Sequence, residues 1–531
     1  MNGYRTIAFV SATLCASLGL LQGPGTARDA ELRPPLAHPA DRNDHRPVAG
    51  SHLVFARARA DTASSSTVGV STMNSTPSAC PPKAIGVRPG ESIQDAVSGA
   101  SVGASFCIRA GTHRMQYVEP KARQRFYGED GAVMNGARLL KDFTRENELW
   151  VASGQTQRST VRGQCASTQP ACSLPEALFI DDKPLMQVTN KAALRAGSFY
   201  FDYAERRIYF VDDPTNKKVE ATAASFAFRS FQPDVFIKNL IVEKYSSPAQ
   251  EGAIQGEFAT GWVVENCEIR FNSGAGVAVG SGGKLLHSKL HHNGQLGATA
   301  GGVNILMEGN EIAHNNIYGF NPYWEAGGVK ITESDGVVLR NNHSHHNVGA
   351  GLWCDINVYN AVYEGNLVEY NQDAGIFHEI SYAAIIRDNT VRFNGLADKG
   401  WVWGADIQIA ASQNVKVYRN VVEVRNNGAG IVLIDQGRTA NRMGKLYKTT
   451  NNIIHDNRIT FDGRGSMGGV SDTSPLSRNY NIIERGNNCF DRNTYRTRDG
   501  FDVSFFWGHS EYDLKGFQKI GHEVHGIETK C

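Results

Sequence analysis

The chain has no surplus of either charge: 54 Lys and Arg stand against 53 Asp and Glu in 531 residues, a formal net charge of +1. A polyanion is gripped by a basic surplus, so nucleic acid is not expected as a partner. Long apolar runs are missing after residue 21. A membrane-spanning helix needs roughly 20 such residues, so no span is expected. C-x-x-C pairs are absent too, which removes a common thiolate zinc pattern, and no metal site is expected.

What is present begins with a short segment containing Arg5, the apolar run IAFVSATLCASLGLL, and small residues near Thr26 and Ala27. That is the layout of a secretory signal peptide over 1–27. Cys15 follows Leu14 rather than the small residue expected before a lipidated cysteine, so the mature protein is expected to be soluble and secreted or periplasmic. Setting Cys15 aside leaves an even number of the 9 cysteines, in keeping with an oxidising compartment. The expected staples are Cys165 with Cys172, Cys489 with Cys531, and Cys80 with Cys107, while Cys267 and Cys354 fall at inward positions and are expected as buried thiols.

Residues 28–78 are rich in Ala, Ser, Thr, Pro and Arg without apolar periodicity. Such a segment buries too little surface to offset its ordering entropy and is expected to be a disordered linker. Over 79–235 the text becomes structured: IGVRPGESIQDAVSGA reads as a strand, a Pro-Gly turn and a short amphipathic helix suited to capping one end of a β-core. LFIDDKPLMQV and GSFYFDYAERRIYFVDDP read as an inserted hairpin region.

From Phe236 a repeat sets in, in lines such as WVVENCEIRFNSGAGVAV, ILMEGNEIAHNNIYGF and AVYEGNLVEYNQDAGIF. One polar column runs through Cys267, Ser288, Asn310, Asn342, Asn366, Asn389 and Asn420, and a second through Asn272, Asn293, Asn315, Asn347, Asn371 and Asn394. Short alternating strands with turn asparagines at fixed offsets describe a coil in which each rung buries its inner face by stacking on the next. The pattern resembles the right-handed parallel β-helix proteins of the pectate-lyase-like group, with clear repeats to about Phe461 and an extension back toward Ala84. The resemblance implies an all-β, single-stranded solenoid with repeats over 236–475 and a tail and cap over 476–531. It also implies a carbohydrate-active protein, without choosing among lyases, hydrolases, epimerases and glycan binders.

Strand alternation sorts the residues of one rung. In GLWCDIN, Leu352, Cys354 and Ile356 point inward, leaving Trp353, Asp355 and Asn357 on the outer face; in GIFHEIS, Phe377 and Glu379 follow. Aligning neighbouring rungs by their glycines gives one outer column of Lys330, Trp353, Phe377 and Asp406, and another of Thr332, Asp355, Glu379 and Gln408. Rungs lie about 4.8 Å apart, so Asp355 and Glu379 are expected to stack. Two carboxyls that close differ in proton affinity, and retaining glycosidases hold theirs about 5–5.5 Å apart.

Two insertions flank the acids: Asn315 is far from Lys330, and Asn394 from Asp406, compared with the short steps from Asn347 to Trp353 and Asn371 to Phe377. Both insertions are aromatic, NIYGFNPYWEAGG and GLADKGWVWGA. They are expected to wall a cleft, with Tyr318, Tyr323, Trp324, Trp401 and Trp403 as stacking surfaces for sugars and Trp353 and Phe377 as ligand contacts. Glu325 lies in the first insertion as a second-rank acid, and His378 is expected inward beside Cys354, either satisfied or orienting Glu379. His287, His291, His292, His343, His345 and His346 cluster on another strand, where a solvated or binding role is expected rather than catalysis.

Three functions compete. A glycoside hydrolase or transglycosylase acting on a polysaccharide would use Asp355 and Glu379 as acid/base and nucleophile or water activator, with Asp406 as a third carboxylate. A polysaccharide lyase or uronan C5-epimerase would use Lys330 to abstract the C5 proton, with Ca2+ on the carboxylates. Against the second stand few arginines in the cleft and the absence of the D-P-H-D signature of mannuronan epimerases; the paired-Asp and G-H-G motifs of polygalacturonases are absent as well. The third is a non-catalytic glycan-binding or structural β-helix.

Overall fold

The computed structural model describes residues 80–438, 440–441, 443–497 and 502–530. The signal-peptide and linker readings and Cys531 lie outside them. Among the described residues three long sheets run the length of the molecule, two of 13 strands and one of 12. Successive rungs place one strand in each sheet and pair in parallel, as in Val338–Arg340 with Ala361–Glu364, His343–His345 with Leu367–Glu369, and Gly327–Asp335 with Ala350–Cys354. The result is a parallel β-helix.

The strands are short because only alternate residues can enter the coil. Leu339, Ser344 and Leu352 point in while their neighbours point out, so each rung buries its apolar face only against the rungs above and below. The turn between the first and second sheets carries one asparagine ladder, in which Asn310, Asn342, Asn366 and Asn389 donate from Nδ2 to the next member at 2.9, 3.1, 2.9 and 2.9 Å. The turn between the second and third sheets carries the other, from Asn272 through Asn394. These buried amides satisfy turn backbone that the coil would otherwise leave unpaired.

The coil begins well before Phe236, since Ile85–Val87, Ser105–Ile108 and Arg125–Gly128 pair in order and lead to Phe236–Lys238. The helix Ile93–Gly99 is capped by the Ser92 side chain and inserts Ile93 and Val97 at the end of the core. Between 137 and 222 the chain leaves the coil to form two small sheets of four and five strands over Phe199, Phe201, Ile208 and Phe210. Within the stretch expected as a tail and cap, Cys489–Asp491, Thr494–Thr497 and Val503–Gly508 add one strand to each of the three sheets and pair with the preceding rung. The excursion over 472–488 hides this rung from a search for regular spacing. Cys80–Cys107 and Cys165–Cys172 are disulfides, and Cys267 and Cys354 are buried thiols. Cys489 has no disulfide partner among the described residues.

Candidate active site

On the outer face of the third sheet Lys330 pairs with Trp353, Trp353 with Phe377, and Phe377 with Gln408. Asp406 therefore does not stand in this column. Gly375 is level with Asp406 rather than with Gly404, because Ile376 pairs with Ile407 and the glycine of the GADIQIA stretch belongs to the insertion. The Asp406 carboxylate instead accepts from Asn394 N at 3.0 Å and Nδ2 at 2.8 Å, terminating the asparagine ladder. Burial pushes its pKa up to about 7. Gln408 is displaced in the same way: Glu379 pairs with Ala410, and the Gln408 Oε1 accepts from the backbone of Gly404 at 3.0 Å and Ala405 at 3.4 Å, fixing the second insertion.

Asp355 and Glu379 do occupy successive rungs, each one residue beyond the paired Cys354 and His378. Both are buried. Asp355 Oδ2 lies 2.9 Å from Lys330 Nζ, and the same ammonium lies 3.8 Å from Glu325 Oε2. Asp355 Oδ1 has no hydrogen-bond partner among the described residues, and neither has Trp353 Nε1, two positions earlier on the same face. Glu379 Oε1 accepts from Gln436 Nε2 at 2.7 Å and lies 3.7 Å from Arg438. Burial first, then the charge of Asp355, raise the Glu379 pKa to about 7. Glu325 is likewise raised by burial, with Gln250 donating to it.

Lys330 is held as a cation. Burial disfavours its charge, but Asp355 and Glu325 outweigh that and raise its pKa. A lysine in this state does not suit the proton-abstracting role a lyase would give it. Ca2+ on these carboxylates would have to compete with Lys330, Arg438 and two amide donors, which already engage one oxygen of each.

The aromatic residues divide differently from the expectation. Trp353 and Phe377 point away from the main core, yet they are 5% and 6% exposed because they pack in a second apolar cluster with Val402 and Ala405 of the second insertion. Lys330 Nζ sits 3.9 Å over the Trp353 ring, and Phe377 stacks with that ring at 5.3 Å. Two partners already occupy the ring, so for the ligand contact expected of Trp353 only its Nε1 edge is left without a partner. Trp324 stacks on Phe320 and packs with the Cys165–Cys172 loop, and Tyr318 packs, half-buried, against the same cluster. Trp403 packs against the cluster around Trp353. Tyr323 and Trp401, 57% and 50% exposed, remain as rim aromatics. Lys399 of the second insertion lies 4.0 Å over the Tyr323 ring of the first, so the two insertions meet.

A third covering segment was not read from the sequence. Residues 436–452 separate third-sheet and first-sheet strands that 411–414 join one rung earlier. Besides Gln436 and Arg438, this excursion brings Asn441 and Tyr447 onto Asn357, with Tyr447 Oη donating to Asn357 Oδ1 at 2.7 Å and Asn441 Nδ2 at 3.2 Å. Its only sequence signal is its length, because the repeat motif stops at IVL and resumes at Asn452. Glu257, raised in pKa by burial and by Glu325 among others, is a further acid on this side that alternation did not reveal. His378 is interior, with Tyr363 Oη 3.3 Å from Nδ1 and the Tyr382 carbonyl 2.7 Å from Nε2; burial lowers its pKa to about 4. It is satisfied there and makes no hydrogen bond to Glu379.

Residues 252–422 match the family model described as the right handed beta helix region. No curated protein matches the chain significantly. Among solved structures, that of XylC in complex with xylose is 13% identical with a TM-score of 0.58, covering 82% of each chain. The A-module of the Azotobacter vinelandii mannuronan C-5 epimerase AlgE6 is also 13% identical, at a TM-score of 0.44, over 82% of this chain and 93% of that one. The catalytic unit of a GH87 alpha-1,3-glucanase from Streptomyces thermodiastaticus is 9% identical at 0.42, over 83% and 72%. At these identities the likeness is one of fold, and the chain is a right-handed parallel β-helix protein.

Proposed function

We propose that this protein is a glycoside hydrolase or transglycosylase whose catalytic pair is Asp355 and Glu379. The observation that carries the reading is a pair of stacked carboxyls in unlike surroundings. Glu379 keeps its proton up to about pH 7, while Asp355 is ion-paired through Oδ2 and leaves Oδ1 unpartnered. Two neighbouring carboxyls, one pushed up by burial and the other ion-paired, offer an acid and a nucleophile. The XylC neighbour, solved with xylose, supports a sugar as ligand of this fold, not this particular site.

Glu379 donates its proton to the glycosidic oxygen as the anomeric C–O bond breaks, and Asp355 Oδ1 forms the bond to the anomeric carbon. Glu379, now a carboxylate, takes a proton from water or an acceptor hydroxyl, whose oxygen displaces Asp355 and regenerates both groups. Lys330, itself beside Glu325, holds Asp355 in place, and the rung spacing favours retention of configuration. Burial of both carboxyls, with insertions that meet above them, favours cleavage at a chain end over an internal bond. The test is a panel of oligosaccharides with products followed by NMR. The reading expects small products first released in the substrate's anomeric form, and an inverted first product or an unsaturated uronate would contradict it.

A further inference from the structure

The second sheet carries a side-chain cluster that the carboxylate site does not use. The residue before each ladder asparagine lies in the left-handed region, with φ of 54° at His292, 54° at His314 and 53° at His346. Their rings form a column, His292 on His314 and His314 on His346, each at 5.1 Å, continued by Tyr370 at 5.2 Å from His346. Any aromatic ring extends such a column, as Tyr370 does. The imidazoles add something stacking does not need, which is converging nitrogens.

His345, at the end of the strand preceding His346, lies with its Nδ1 at 2.9 Å from His346 Nδ1. Ring nitrogens of His314, His345 and His346 all fall within 4.8 Å of one another. Nitrogens bound at about 2.0–2.1 Å to one tetrahedral ion are about 3.3 Å apart, so small ring rotations bring the three onto a common centre. Behind them Glu311 Oε1 lies 3.6 Å from His345 Nε2, a carboxylate in the place where one orients a ligating histidine. The unit is built a second time: His291 and His292 bring Nδ1 atoms to 2.9 Å, with Glu268 Oε1 3.2 Å from His291 Nε2. There no third nitrogen comes within the same reach among the described residues.

We propose that His314, His345 and His346 form a surface site for a divalent transition-metal ion of the Zn2+, Ni2+ or Cu2+ class, with Glu311 as the positioning residue for His345. Three imidazoles suit these ions and not Ca2+ or Mg2+. His314 comes from one rung and His345 and His346 from the next, so a bound ion ties two rungs together. The remaining coordination position is open to water or an incoming ligand, because His314 and His346 are exposed.

The probe is Co2+, followed by its visible absorption, and Zn2+, followed by calorimetry, on tag-free protein freed of metal by a chelator. The wild type should bind one equivalent and show a Zn2+-dependent rise in Tm that a chelator reverses and that Mg2+ does not produce. The His314→Ala/His346→Ala variant should lose at least about tenfold in affinity together with the Tm response, and Glu311→Gln, which leaves the imidazoles in place, should weaken binding by about tenfold. Equal Co2+ spectra and Tm responses in wild type and the double variant would overturn the assignment. So would the absence of binding by the wild type, or its loss only in His291→Ala/His292→Ala.

Discussion

Two outward faces of one coil have opposite fates. On the third sheet, Lys330, Trp353, Asp355, Phe377 and Glu379 point away from the core and are nonetheless buried, because segments inserted at two different turns fold back over them. The second sheet borders the turn from which the two aromatic insertions leave, yet its outward residues such as Lys289, Glu311 and His343 remain partly or largely exposed. Alternation along a strand decides which side a residue takes. Whether that side is wet depends on what the loops do, and low-dielectric surroundings turn the same side-chain types from surface pairs into a reactive set.

The largest test of this contrast exchanges a cation on each face. Lys330→Ala leaves Asp355 and Glu325 buried without their cation and should cost about 3–5 kcal/mol of stability, read by denaturant unfolding. Next comes the shared scaffold: Asn347→Ala breaks the ladder between the second and third sheets, where its amide joins Asn371 at 2.9 Å, and should cost about 1–3 kcal/mol. Smaller is a pH effect specific to the covered face. The Glu379 pKa rises from its ordinary 4.5 to about 7, so the folded chain binds this proton more tightly than the unfolded one. That contribution is fully present below about 4.5 and is lost as pH rises to about 7. The Tm of Glu379→Gln relative to wild type should therefore improve between about pH 5 and pH 8; a difference independent of pH would contradict it. Smallest is Lys289→Ala on the open face, which parts an exposed contact of 3.6 Å with Glu311 and should change stability by less than about 1 kcal/mol.

The coil and its ladders were legible because a stacked rung repeats its chemistry at fixed offsets, and Asn310 and Asn347 stand where the repeat puts them. The stacking of Asp355 on Glu379 was legible for the same reason. Register beyond an insertion was not. Asp406 and Gln408 follow a loop that carries its own glycine, and the glycine alignment moved both two positions from their true partners. Coverage was not legible either, since nothing in GLWCDIN tells that Val402 packs with Trp353 or that Gln436 reaches Glu379. Such contacts join distant segments without periodicity, so only the folded chain brings them together.

The most direct measurement compares turnover with binding in three proteins, the wild type, Glu379→Gln and Asp355→Asn, on the oligosaccharide the wild type cleaves fastest. Removing a general acid or nucleophile should lower kcat/KM by about 10²–10⁴ while calorimetry still finds the ligand bound. Unchanged turnover in both variants, or a wild type that binds glycans and cleaves none across a broad panel, would contradict the account and make this covered face a binding surface.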